Sequence, residues 1–214
     1  MVKILVRGAA QQRIAAEVGT VNVEIRAEAD DPAAAIASAQ SSHAAVLADA
    51  RAFEASTQAD KTIAGTVRVA HEDQWVGDGQ PTKRIFVASS RIAVSFRDFE
   101  ALGVWIAQLG SNETVRVPNI EWTLSDETRV KVGREVRAAA VHDAVTAASD
   151  FAHAAGLTTP KLHVVADAGL HSGDTPEPKL HLMRSAMADT SGGFEFTGDE
   201  ISVRLQIEAE FHAE

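Results

Sequence analysis

Val21, Val23, Ile25, Ala27 and Ala29 alternate with Asn22, Glu24, Arg26, Glu28 and Asp30, the period-two pattern of a strand with one dry and one wet face. Asp31 then offers an N-cap with Pro32 at the first helical position. Ile36, Ala39, His43, Val46, Ala50 and Phe53 follow at spacings of three and four, which predicts a long helix over residues 32–56. Ile63–Ala70 and the run Phe86, Ala88, Ile92, Val94, Phe96 read as two strands of a hairpin, joined across the polar tip Glu72–Lys83 with Gly77 and Gly79. Asp98 caps a short helix carrying Phe99, Leu102, Ile106 and Leu109, which Gly110 closes.

The pattern then restarts. Val115 and Val117 change parity at Pro118 and Asn119 to Ile120, Trp122 and Leu124, as a bulged strand does. Ser125 or Asp126 caps a second long helix with Val130, Val136, Ala140, Ala144, Ala148 and Phe151 as its buried stripe, and Gly156-Leu157 has the form of a left-handed C-terminal cap. Leu162–Ala168 and the alternating Ile201, Val203, Leu205, Ile207, Ala209, Phe211 supply two further strands.

This order predicts an α+β fold in which antiparallel sheets are covered by two long helices and one short helix. Residues 1–214 are expected to form a single domain, with a duplicated β-α-β-β unit in the halves 13–97 and 114–212. Many alanines and few aromatics in the long helices imply close approach of helix to sheet. An alanine stripe buries less apolar area than a leucine stripe and stabilises less per residue, at roughly 25 cal/mol per Å².

Composition narrows the function classes. Thirty acidic against twenty basic residues give a net charge of −10, and no run of Lys or Arg exceeds two, which argues against nucleic acid as a partner. The chain has no cysteine, so disulfides, thiolate metal sites and cysteine nucleophiles are excluded. No apolar stretch approaches the length of a membrane span, and Met1–Arg7 is too short an apolar run for a signal peptide. With Met1 as the native start the expected compartment is the cytoplasm; a chain trimmed of its leader would be periplasmic or secreted.

Candidate chemistry centres on His163, Asp167, His171, Asp174 and His181, since neutral imidazoles and carboxylates are what zinc and other divalent metals take. Strand spacing places His163 and Asp167 on one face about 13 Å apart at ~3.3 Å per residue, too far to share one ion, so no metal or other cofactor is assigned. His43 lies on the apolar stripe of the first long helix and reads as a satisfied, partly buried imidazole. His142 and Asp143 are adjacent on a helix and point to different faces. Ser89, Ser90 and Ser191 stand in no Gly-x-Ser-x-Gly elbow, and no glycine-rich phosphate loop occurs. Leu180, Leu182, Met183 and Met187 form an apolar-leaning segment between polar flanks, suited to subunit contact because thioethers adapt to irregular surfaces. Trp75 and Trp105 are candidates for either contact surface or core.

The segments Val21-Asn22-Val23-Glu24-Ile25 leading to Asp31-Pro32, Trp122-Thr123-Leu124-Ser125-Asp126, and Arg134–Ala144 ending in Ala155-Gly156-Leu157 resemble the SIMPL family of bacterial proteins, as does Leu180–Met187 before the last strand. The resemblance implies an alternating strand and helix domain that forms oligomers, with roles proposed in envelope or stress biology and no catalytic residues to carry over. Where relatives place Pro-Asp, this chain has Glu17-Val18, and the leader usual in relatives is not seen. The expectation is a non-enzymatic, self-associating protein. The alternatives are a metal-assisted hydrolase using the His163–His181 region, and a small-molecule binding module with its pocket between sheet and helices.

Overall fold

The structure, a computed structural model, describes residues 1–75, 77, 82–168 and 198–214 together with the backbone of 183–184. The fold is α+β: among the described residues every strand pairing is antiparallel, in two sheets accompanied by three helices. Among the described residues no helix is long and apolar enough to cross a membrane. The chain divides into two compact units, with boundaries after Ala16 and after Thr123.

The unit that begins at Glu17 follows the sequence pattern closely. Strand β2 (Val18–Ala29) buries Val21, Val23, Ile25 and Ala27. Helix α1 (Pro32–Ala55) starts where expected: the Asp31 carboxylate accepts from Ala34 N at 2.9 Å, and Pro32 costs nothing in the first turn. Its buried side chains are Ala35, Ala39, Val46 and Ala50. The expected strand 63–70 is two strands, β3 (Ala59–Ala64) and β4 (Arg68–Gln74), both laid along β5 (Lys83–Phe96). Between Ala64↔Ile92 and Arg68↔Ser89 there are three residues on one side against two on β5, so the register slips by one and the ladder breaks at Gly65. Helix α2 (Phe99–Leu109) is capped by Asp98, which accepts from Glu100 N and Ala101 N at 3.0 Å each. Edge strand β6 (Val115–Thr123) carries the predicted bulge: Asn22 pairs with Asn119 but Glu24 with Arg116, one residue against two, and Pro118 sits where no ladder bond is needed. Trp105 is core, fully buried, with Phe53 and Phe96 at centroid distances of 6.5 and 5.5 Å. Trp75 is exposed.

The other unit opens with a strand that the hydrophobic pattern does not announce, β1 (Val2–Ala15). Its partner is β9 (Glu200–Ala213), which buries Ile201, Val203, Ile207, Ala209 and Phe211 on one face. β7 (Lys161–Asp167) and the short β8 (Met183–Arg184) pair with β9 from its other side. Helix α3 (Asp126–Ala154), capped by the Ser125 hydroxyl, crosses β1 and β9. Its buried positions are Val132, Gly133, Val136, Ala140, Ala144, Ala148 and Ala152. Val130 and Phe151, expected in that stripe, are exposed at 51 and 62%. The spacing explains the difference: steps of four overshoot a 3.6-residue turn by about 40° each, so the buried line winds round the helix and ends on Ala152. Alanines are needed because the helix lies directly on the strand at Gly8. A Cβ built there meets the Ala140 carbonyl oxygen at 2.0 Å and the Ala144 Cβ at 2.8 Å. Gly156, at φ +68°, ends α3 in the left-handed conformation, and Leu157 N returns to Ala152 O at 2.9 Å.

The two units share one strand order. In the unit that begins at Glu17, β2 pairs β5, the strand after the helix (β3) pairs β5 from the other side, and the next short strand (β4) also pairs β5. In the other, β1, β7 and β8 stand to β9 in the same way, with α3 in the place of α1. Each strand after the helix carries a bulge at its start. Asp60 is the unpaired residue between Ala59↔Phe96 and Lys61↔Ser95, and His163 is the one between Leu162↔Phe211 and Val164↔Glu210.

Candidate functional site

The bulge at His163 decides where its imidazole goes. β9 turns Ile207, Ala209 and Phe211 toward α3, so Glu208, Glu210 and His212 point to the opposite face. The unpaired His163 is turned to that face as well. Its ring stacks on His212 with centroids 4.5 Å apart and planes 20° from parallel. One ring nitrogen of each histidine and a carboxylate oxygen of Glu210 all lie within 4.8 Å of one another.

Glu210 is the buried member, 6% exposed. Lys3, from β1, places its ammonium 2.6 Å from Oε2, and His212 Nε2 lies 2.9 Å from Oε1. The hydrogen bond from Lys3, reinforced by the one from His212, holds the carboxyl below the usual glutamate range against the opposing cost of burial. Along the same face Arg7 meets Glu208 at 3.2 Å. A carboxyl whose folded-state value is depressed contributes stability above its unfolded value of about 4.3, and loses it as pH falls through the lower folded value. Thermal melts of the protein and of Glu210→Gln should therefore diverge at neutral pH and approach one another as the pH falls from the unfolded value through the lower folded one. Parallel pH profiles would contradict this.

Of the metal-ligand candidates singled out from sequence that are among the described residues, His163 is in a cluster. Asp167, expected on the same face, stands opposite Ile207 and so lies on the α3 side, because the bulge reverses the alternation after residue 163. His171, Asp174 and His181 lie outside the described residues, as do Leu180, Leu182 and Met187 and the side chain of Met183. Glu210 and His212 were missed. Their alternation with Ala209 and Phe211 was visible, but the bulged pairing of β7 with β9 that completes the cluster was not. His43 is half-buried and its Nδ1 lies 2.9 Å from the Ser90 hydroxyl, the satisfied imidazole expected. Asp143 accepts from Ala9 N at 2.9 Å and so has a structural use.

A second feature lies in the unit that begins at Glu17. The register breaks at Gly65 and at Pro118 flank a cleft of about 450 Å³ lined by Asn22, Glu24, Ile63, Arg91, Pro118 and Asn119 among others. Asn22 and Glu24 alternate with the buried Val21, Val23 and Ile25, so this cleft is on the sheet face away from α1. Arg91 and Glu24, register partners in its lining, form an ion pair at 3.7 Å.

In the unit that begins at Glu17, the bulged Asp60 is held by an ion pair with Arg97, the residue after Phe96. His163 and His212, the residue after Phe211, occupy the corresponding places beside β9. The bulge thus belongs to the shared strand plan, and the histidines and glutamate are what one unit adds to it.

A family model described as SIMPL, protein of unknown function (DUF541), matches residues 4–211. No curated protein matches the chain.

Proposed function

The chain belongs to the SIMPL family, and from this premise we propose that it is a non-enzymatic protein that acts by self-association. The observation that supports the reading is an uncovered strip of core face on β7. Leu162 and Val165 stand opposite Phe211 and Ala209, and therefore point to the side on which α3 lies. α3 packs on β1 and β9, where Phe211 and Ala209 are buried, while Leu162 and Val165 remain 46 and 49% exposed. Among the described residues β7 ends the strand order β1-β9-β7, so apolar side chains and a ladder edge occur together there. Such an edge is a ready template for another chain, and covering it with a second copy removes both liabilities at once.

The double substitution Leu162→Lys with Val165→Lys tests this. Both side chains are half-exposed, so the fold tolerates the change, and the circular dichroism spectrum should not move. Light scattering should show the assembly reduced in mass. An assembly of unchanged mass in the folded double variant would refute the role of β7.

A further inference from the structure

We propose that His163, Glu210 and His212 form a binding site for a divalent transition-metal ion of the zinc class. Two imidazoles and a carboxylate are a donor set that zinc takes readily, with the remaining position left to water or a ligand. The donor atoms lie within 4.8 Å of one another, whereas bonds of about 2.0–2.2 Å in tetrahedral geometry need donors roughly 3.3–3.6 Å apart. The closing movement falls to His163. It is exposed, and it sits on a bulge at an edge strand, so rotation of its side chain can break the stack on His212 and aim a ring nitrogen at the shared point. Glu210 and His212 are fixed on the central strand β9 and form the pre-set half of the site.

The chemistry at His212 is specific. Its Nε2 now faces Glu210 Oε1 at 2.9 Å, an arrangement that needs a proton between nitrogen and carboxylate. An ion seated there requires the Nδ1–H tautomer, so that Nε2 offers its lone pair, and coordination replaces that hydrogen bond. Lys3 is the built-in competitor. Its ammonium holds Glu210 Oε2 at 2.6 Å and is half-exposed, so it can swing into solvent when a doubly charged ion arrives. This inference stands independently of the assembly reading.

The test is calorimetric titration of the full chain with zinc chloride near neutral pH, in a buffer that does not chelate. One ion per chain is expected. His163→Gln, His212→Gln and Glu210→Gln should each weaken binding by at least ~10-fold, the lower end of what even outer-shell changes cost a metal site. Lys3→Met should tighten it, on the order of tenfold, by removing a like charge from the site. His142→Gln and His153→Gln, which alter exposed imidazoles of α3, should change nothing. Because His163 is exposed, its variant keeps the fold even if Glu210→Gln does not. No uptake of zinc would overturn the proposal. So would uptake indifferent to His163→Gln and His212→Gln, or uptake abolished instead by His171→Gln with His181→Gln.

Discussion

Replacing Gly8 with valine is expected to destabilise the protein by more than about 3 kcal/mol, beyond the usual range for overpacked cores. The reason is the seat of α3 on β1. The first atom of any side chain at residue 8 falls 2.0 Å from the Ala140 carbonyl oxygen, and 2.9 and 2.8 Å from the Ala144 nitrogen and Cβ. None of these can rotate away, since two are helix backbone and the third is fixed to it. Relief requires the helix to lift off the strand, which uncovers Ala140, Ala144, Ala148 and Ala152 together, all buried beside Val6, Ile207 and Phe211. Gly8→Ala already meets the same oxygen and should show much of the loss. Urea denaturation of both variants measures it, and a midpoint unchanged from wild type would mean that α3 does not lie where described.

The second large effect belongs to Trp105. It is fully buried against Phe53, Phe96, Leu102 and Val94, and Trp105→Ala should cost about 3–5 kcal/mol through lost contacts and the cavity left behind. Trp105→Phe should cost far less than the size change suggests. The indole Nε1 has no hydrogen-bond partner among the described residues, and an unpaired buried donor carries a penalty of about 1–3 kcal/mol that phenylalanine removes. Denaturation midpoints of the two variants separate these contributions. Equal losses would indicate that the indole nitrogen is satisfied after all.

Where local chemistry was unambiguous, the sequence was enough. Asp31-Pro32 and Asp98 start helices because a carboxylate caps orphan N–H groups, and the alternation in β2 and β9 marks their buried faces without reference to anything distant. The parity change at Pro118 was legible as a bulge for the same reason. β1 was not legible, because apolar Leu5 lies between Lys3 and Arg7 on the opposite face, 60% exposed, and blurs the alternation of Val2, Ile4, Val6 and Gly8. The stripe of α3 was misplaced at both ends since its course depends on where Gly8 lets the helix descend. The candidate site was only a third visible. His163 was singled out, but its meeting with Glu210 and His212 rests on the pairing of β7 with β9 and on a bulge that no side-chain pattern signals.

The assembly reading has the most direct test in the protein's own mass. A single chain is 22.7 kDa, and size-exclusion chromatography with light scattering at micromolar concentration should return a defined multiple of that figure. A lone peak at 22.7 kDa would contradict self-association as what this fold is for.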